Sequence, residues 1–416
     1  PLLAPAHSRA INERPRELRG RLFTNYMHTW NREQGDDHYS LGRVGSALWM
    51  DNPFGQGGKL QLNGELNRRG IFLDDQQDQL RGPGRLDRIS YQSKDVEGVP
   101  IRYELGRFLC DEFAEFGVID GGDIVYRTQS GHRFGAAMGF LPEPFPNLQL
   151  SDDFSFATYY RFTGQQGSPL TTGLGYQKTW HKGTPDRDLL IYNIGYDPFP
   201  RFSVHGSLWT DFYDGRDTHK TRDVEITQAI LHAIYRTKGG SGVGAHTSYV
   251  RWPQLLRQEF LPFVDEQIVR GEVRRYGLFA YHPLNDRTRL DARVDQWQDQ
   301  SGNEGTSYEG QTTFRDFMMP QLQLTLAAYG NHGVYSSGPG GRFMLFSYRD
   351  WGATSIGYDI ANYKLLQEGD RYFQHAVHSN LDLRIGSRQT LTLTTDYRFG
   401  ERQDALQFGM FLQRRL

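Results

Sequence analysis

Two residue types that can form a nucleophile and its base occur two positions apart, in the run His246-Thr247-Ser248. Residues at this spacing lie on one face of a β-strand, where a histidine can activate a serine hydroxyl. The base also needs a third group that orients it, and the next segment, Glu272 to Tyr281, contains no asparagine at a matching position. We therefore expect a polar pair rather than a catalytic centre.

Two groups of carboxylates occur in segments that we predict to be external loops. They are Asp211, Asp214 and Asp217 around Gly215, and Asp74, Asp75 and Asp78. Oxygen ligands suit Ca²⁺, which takes about 6–8 of them, so each group could supply part of a calcium site. A solvated acidic loop is the reading we favour, and the sequence indicates no other cofactor. His375 and His378 are three apart, point to opposite faces of a strand and are not expected to share a metal.

The element that must position these groups is the β-strand, because apolar and polar residues alternate along much of the chain. The clearest stretches are 60–66, 290–294, 322–326, 391–399 and 406–412. In the fourth of these, Leu391, Leu393 and Tyr397 alternate with threonines and Asp396. Such a strand has one apolar face and one polar face.

The pattern predicts about 22 strands of roughly 9–13 residues, the length that a tilted strand needs to cross a membrane. Long and short connections alternate between them. The long ones are 31–40, 71–84, 141–153, 214–223, 253–270, 298–307 and 331–341, and the short ones are 129–131, 197–200, 283–286, 318–320 and 386–388. We predict an all-β fold, a single large antiparallel transmembrane β-barrel of about 20–22 strands, with short periplasmic turns and long external loops. A propeller or β-helix would instead show a repeated motif.

Composition excludes several other classes of protein. Lys plus Arg number 47 and Asp plus Glu number 49, so there is no basic surplus that would favour nucleic acid as a partner. Mean hydropathy is −0.65, and no uncharged apolar stretch approaches the roughly 18 residues of a membrane helix. The single cysteine, Cys110, excludes an internal disulfide and a Cys-x-x-Cys-His haem attachment.

The first residues differ from the rest of the chain. They lack the basic start and the apolar core of about 7–15 residues that a secretory signal has, so we expect a mature chain. We predict an irregular N-terminal tail over 1–18, too short to be a plug domain, and the barrel over 19–416.

From Arg19 to Leu416 the chain resembles the porin-like outer-membrane barrels of Gram-negative bacteria. The terminal strand, Leu406-x-Phe408-x-Met410-x-Leu412, is similar to the strand that barrel-assembly machinery recognises in this class, although the chain ends in leucine instead of an aromatic residue. The runs Leu105-Gly106-Arg107-Phe108 and Gly117-Val118-Ile119-Asp120-Gly121 resemble a strand-loop-strand of several porin-like families. His246-x-Ser248 resembles the pair in outer-membrane phospholipase. The resemblance implies the outer membrane, with its lipid and lipopolysaccharide as surroundings.

Charged residues of both signs fall on the polar phase of the strands, which would face the lumen. They are Arg161, Arg236, Arg293, Arg398, Asp291, Asp295 and Asp396. A ring of one sign would set ion selectivity, and this mixture predicts none.

The segment 252–264 is unusually apolar for an external loop. Its large apolar residues are Trp252, Leu255, Leu256, Phe260 and Phe263. We expect it either to fold into the lumen as a constriction or to dock against another protein.

A barrel of about 20–22 strands encloses a wide hole, and 22-stranded transporters carry a plug. The function we favour narrowly is a channel for solutes or an exported polymer. The alternative is a scaffold or sleeve that houses a partner protein, such as a periplasmic cytochrome, a lipoprotein or a secretion component. A lipid hydrolase that uses Ser248 is a minor alternative, and we otherwise expect no enzyme.

Overall fold

The structure is a computed structural model, and it describes a large part of the chain. The described residues are 15–33, 37–72, 84–93, 100–143, 148–164, 168–213, 223–253, 255–257, 272–334, 336–365, 369–401 and 403–416. Among them, no helix is long and apolar enough to span a membrane.

Twenty-two strands form one closed antiparallel sheet. They are β1 Glu17–Asn31, β2 Asp37–Asp51, β3 Lys59–Phe72, β4 Gly84–Gln92, β5 Ile101–Leu109, β6 Val118–Arg127, β7 His132–Phe140, β8 Asp153–Thr163, β9 Leu170–His181, β10 Thr184–Phe199, β11 Phe202–Phe212, β12 Val224–Arg236, β13 Gly242–Val250, β14 Val273–Pro283, β15 Thr288–Asp299, β16 Glu304–Phe314, β17 Leu322–Gly333, β18 Ser336–Arg349, β19 Gly352–Leu365, β20 Arg371–Ile385, β21 Gln389–Gly400 and β22 Gln403–Arg415. Each pairs with its neighbours in sequence, and β1 closes the barrel on β22. The predicted barrel and its strand number are confirmed.

The two faces of the sheet differ as the alternation predicts. On β9, Leu174 is exposed, while Gly173 and Gly175 on either side of it are buried. Because directly opposite residues in a sheet share a face, the register extends this distinction around the barrel. The exposed outer face carries apolar side chains on every part of the wall, among them Leu66, Ile89, Leu105, Ile124, Met138, Leu278, Val294, Leu326 and Ile356.

Aromatic rings line both edges of this apolar outer face. At one edge Phe140, Phe154 and Trp180 contact one another across β7, β8 and β9, with successive ring centroids 5.7 Å apart. At the other edge Phe134 packs against Tyr160, with ring centroids 5.1 Å apart. Two aromatic belts that bound an apolar band are typical of transmembrane barrels.

We name the two ends of the barrel by their connections. The terminus end holds the start of β1 and the end of β22, where Leu416 N donates to Gly20 O at 3.0 Å. The opposite end, the loop end, has long connections only between β3 and β14, at 73–83, 110–117, 141–152, 213–223 and 251–272. From β15 to β22 its connections are short, at 300–303, 334–335, 366–370 and 401–402. The predicted long loops at 298–307 and 331–341 are therefore wrong, and 31–40 shrinks to 32–36.

The misassigned segment 331–341 shows why glycine misled the prediction. Its run Ser336-Ser337-Gly338-Pro339-Gly340-Gly341 has the composition of a turn, yet it forms the first part of β18. A Cβ on Gly338 would lie 2.0 Å from Asn362 O of the neighbouring strand, and one on Gly340 would lie 2.3 Å from Tyr329 Cε2. These glycines allow close approach within the sheet instead of reversing the chain.

Glycines that allow close approach within the sheet also occur at other positions around the lumen. Aromatic rings on the inner face lie flat over the glycine directly opposite on the next strand, which leaves no room for a Cβ there. The pairs are Phe23 over Gly45, Tyr159 over Gly135, Phe279 over Gly244, Tyr281 over Gly242, Trp297 over Gly305 and Tyr329 over Gly340. Glycine opposite an aromatic residue is a known way to stabilise a strand pair. It also keeps large side chains against the wall of the barrel.

The seam between β4 and β5 is the shortest in the barrel. Only four residue pairs join these strands, from Ile89↔Arg107 to Gln92↔Glu104. Buried side chains supplement the backbone there, since Glu104 accepts from Ser90 at 2.6 Å and from Arg88 at 2.5 Å. Arg107 also donates to Leu86 O at 2.8 Å.

The pairing of rings with glycines makes a stability prediction. We expect Gly340→Ala to destabilise the barrel by about 1–3 kcal/mol, because the new methyl group displaces the Tyr329 ring. The matched control is Gly310→Ala on β16, where no atom lies within 4 Å of the added carbon. Thermal unfolding followed by heat-modified mobility in gel electrophoresis measures both. Equal midpoints for the two variants would contradict the explanation.

Candidate functional site

The connection between β5 and β6 turns inward and lies inside the barrel. We call residues 110–117 the inner loop; it contains one 3-10 turn, Ala114–Phe116. Phe113 and Phe116 stack with ring centroids 5.3 Å apart and cover Gly173 and Gly175 on the inner face of β9. Together with Tyr159 they form the centre of the one cluster of fully buried apolar side chains found among the described residues.

Glu112 anchors the middle of the inner loop to the wall. Glu112 is buried and accepts from Arg133 at 2.8 Å and 2.9 Å and from Arg127 at 3.3 Å. Arg161 Nη1 donates to the Glu112 carbonyl at 2.7 Å. Three arginines from β6, β7 and β8 therefore converge on one residue. Loss of one partner of a buried ion pair is strongly destabilising, because it leaves buried charge uncompensated.

The two flanks of the inner loop are also held by polar side chains. Asp111 accepts from Arg102 at 2.8 Å and from Gln92 at 2.7 Å. Glu115 accepts from Asn193 on β10 at 2.9 Å. The loop thus spans the inner wall from β4 to β10 and narrows that side of the lumen.

Cys110 begins the inner loop and is almost completely buried. Burial, followed by the nearby Asp123 carboxylate, raises the pKa of its thiol to about 12. Because the thiolate is the reactive form, this cysteine is inert while the loop stays in place.

The loop between β13 and β14 reaches across the loop end toward β7–β10. The backbone N–H of Leu256 donates to Asp186 Oδ1 at 2.5 Å, and Arg257 donates to the Pro142 carbonyl at 2.6 Å. Trp252 and Leu255 lie beside Phe116 around one cavity. Leu256, in contrast, is 56% exposed. Phe260 and Phe263 lie outside the described residues, so constriction and docking against another protein both stay predictions.

The apolar pattern of the chain predicts a constriction only at 252–264, and the inward fold of the inner loop was not predicted. The sequence feature that could have predicted this fold is the pair Phe113 and Phe116, which lies beside three carboxylates in a short connection. Aromatic residues in a loop of this length would rather be buried than face water.

The predicted lumenal charges lie on the inner face, mostly in opposite-sign pairs. Arg293 contacts Asp295, and Arg398 contacts Asp396 at 2.9 Å. The residues of the predicted set that lie on this face are Arg161, Arg236, Asp291, Asp295, Arg293, Asp396 and Arg398. Arg236 lies at the terminus end and is exposed.

His378 occupies the middle of a longer charged row on β18–β21. Its Nδ1 lies 2.6 Å from Asp396 and its Nε2 lies 3.1 Å from Asp359, which also accepts from Arg342 at 2.7 Å. His375 faces outward and stacks on Phe399, so the two histidines occupy opposite faces as predicted.

The acidic groups proposed for calcium are placed differently from the prediction. Asp211 is not in an external loop; it is a fully buried residue of β11. Its carboxylate accepts from Arg187 at 2.6 Å and 3.0 Å and from Thr227 at 2.6 Å. Asp214, Asp217, Asp74, Asp75 and Asp78 lie outside the described residues, so the calcium hypothesis stays a prediction. Within the described ranges, no group of three or more His, Cys, Asp or Glu residues could hold a metal.

His246 and Ser248 share the inner face of β13, as their spacing predicts. Asp295 of β15 lies 2.8 Å from His246 Nε2, so a carboxylate outside 272–281, and not an asparagine of that segment, contacts the histidine. No hydrogen bond joins His246 to Ser248 in the described structure, and both residues face away from the apolar outer surface. The pair is therefore part of the polar wall.

The barrel is closed and antiparallel, and it has an even number of strands. Its outer face carries an apolar band between two aromatic belts, and its interior is charged. These features define a transmembrane β-barrel of the porin-like type. No family model and no curated protein matches the chain.

Solved structures resemble it over nearly its whole length. OccK7 (OpdD) of Pseudomonas aeruginosa has a TM-score of 0.49 and 10% identity, covering 96% of this chain and 98% of that one. OccK2 (OpdF) of the same organism, solved with glucuronate, has a TM-score of 0.47 and 10% identity, covering 96% of each. The translocation pore of the P pilus usher PapC has a TM-score of 0.46 and 8% identity, covering 96% and 99%. Likenesses of this size assign no family.

Cys110 reports on the anchoring of the inner loop. We expect Glu112→Ala to increase the rate of maleimide labelling at Cys110 at least about tenfold, because breaking a buried ion pair costs about 3–5 kcal/mol. Mass spectrometry of the intact chain in detergent measures the rate, with Asp286→Asn in the exposed turn before β15 as the control. Unchanged labelling in Glu112→Ala would show that Glu112 does not hold the loop.

Proposed function

We propose that the barrel is a bacterial outer-membrane channel for small hydrophilic solutes, narrowed by the inner loop. The observation that carries this proposal is the position of that loop, which is anchored to the inner wall by Glu112 and contacts β8, β9 and β10. A polar lumen bounded by paired charges suits the passage of hydrated solutes.

The narrowing is one-sided. The apolar cluster buried around the inner loop is formed by that loop, by β5–β8 and β10 and by Leu141, with Trp209 of β11 packed against it. The wall from β15 to β22 carries half-buried and exposed polar residues, such as Asp396 and Arg398. The inner loop reduces the open cross-section that a barrel of 22 strands otherwise encloses.

A sleeve around a partner protein is the second candidate. The uncovered wall favours it, because Phe23 and Phe411 pack together on its inner face with ring centroids 6.0 Å apart and remain only half-buried. A partner segment could cover such rings. Under this proposal the chain contributes a housing, and the partner fills the space beside the inner loop.

A lipid hydrolase is disfavoured by the orientation of Ser248. A nucleophile for lipids has to be accessible from the bilayer, whereas Ser248 shares the lumenal face with His246. We expect no phospholipase activity from the purified chain. Lipid hydrolysis that disappears in Ser248→Ala would contradict this.

Conductance distinguishes the channel from the sleeve. We expect the purified chain to conduct ions in planar bilayers, and Phe113→Ala with Phe116→Ala to raise single-channel conductance roughly twofold, because the inner loop loses its contacts with β9. Phe346→Ala, on the inner face of β18, is the control and should change conductance little. A chain that does not conduct, but is recovered with a stoichiometric partner, would contradict the channel.

A further inference from the structure

We infer that the lumenal cleft on β12–β16 is a binding site for neutral saccharides. This inference names a class of solute for the proposed channel. Transport of the saccharide depends on the proposed channel function, whereas binding of the saccharide does not. The cleft is a cavity of about 630 Å³ on the inner wall. Its size falls within the range of about 300–1,000 Å³ that is usual for small-molecule sites.

The floor of the cleft carries two nearly parallel rings, those of Phe279 and His232. Phe279 lies over Gly244, and its ring is nearly parallel to that of His232, with an interplanar angle of 17° and centroids 5.4 Å apart. Beside them Ile230 is 42% exposed although it faces the lumen. A flat apolar surface inside a water-filled pore can bind the C–H face of a sugar ring, whose hydroxyls remain at its edge.

The rim of the cleft provides donors and acceptors in fixed positions. Arg289 is held over the Tyr281 ring, 4.3 Å from its centroid, and it contacts Asp291 at 2.5 Å. Glu309 and Gln311 also line the cleft and lie on the neighbouring strand, in register with Arg293 and Asp291. Guanidinium, carboxylate and amide groups together can both donate to and accept from vicinal hydroxyls.

Charge balance favours a neutral ligand over an ion. Two arginines, Arg289 and Arg293, face two carboxylates, Asp291 and Glu309, around the cleft. Arg293 is additionally paired with Asp295 below it. An anion would have to displace Asp291 from Arg289 and Asp295 from Arg293, whereas a sugar can bridge these groups without separating them.

The test measures binding and conduction separately, with maltotriose as the neutral probe and glucuronate as the charged one. Calorimetry on the detergent-purified full chain should show binding of maltotriose at millimolar concentrations and weaker binding of glucuronate. Phe279→Ala should raise the maltotriose Kd about tenfold, which corresponds to the loss of one stacking surface. Gln311→Ala, which removes a rim amide without changing the floor, should raise it by roughly threefold.

The matched control is Phe23→Ala, because Phe23 also lies over a glycine on the inner face but belongs to β1, away from the cleft. It should change the Kd less than about twofold. Absence of maltotriose binding, tighter binding of glucuronate, or an equal loss in Phe23→Ala would overturn the site. If the chain conducts ions but does not bind maltotriose, the saccharide site is wrong and the channel proposal stands. If the chain binds maltotriose but does not conduct ions, the channel proposal is wrong and the saccharide site stands.

Discussion

Backbone N–H and C=O groups inside a bilayer have no water to bind, so each strand must find partners on both sides. The pairing of β1 with β22 over Arg21–Asn31 and Ala405–Arg415 meets this requirement for the two end strands. Once the sheet is closed, alternation places one set of side chains toward lipid and the other toward water. The apolar belt, the charged lumen and the inward path of the inner loop all follow from that division.

The lumen combines two opposite demands on side-chain size. Large rings stabilise strand pairs, yet they must not fill the passage; glycines opposite Phe279, Tyr281 and Tyr329 let the rings lie against the wall. The inner loop does fill space, and it does so where Gly173 and Gly175 make room for Phe113. Glycine therefore determines both where the lumen stays open and where it narrows.

The sequence predicted those features that depend on local periodicity. Alternation gave the strand number and the lumenal face of residues such as Arg293 and Asp396, because side-chain direction in a strand is set by position alone. Loop length was less predictable. The segment 336–341 has the composition of a turn, and its role in strand pairing becomes visible only when the neighbouring Tyr329 ring is seen to pack on its glycine. The inner loop and the Asp295–His246 contact depend on residues that are far apart in the chain. Contacts of this kind cannot be predicted from the local pattern of a single sequence.

The short β4–β5 seam has a consequence for how the wall is sealed. Four residue pairs cover about 13 Å of strand at roughly 3.3 Å per residue, whereas the hydrocarbon layer is about 30 Å thick. Beside the seam, the Leu86 carbonyl accepts a hydrogen bond from the Arg107 guanidinium. Glu104 and Arg88 tie the same two strands together from the lumen. Along this line charged side chains supplement the few backbone pairs, so the wall is held closed there partly by ion pairs.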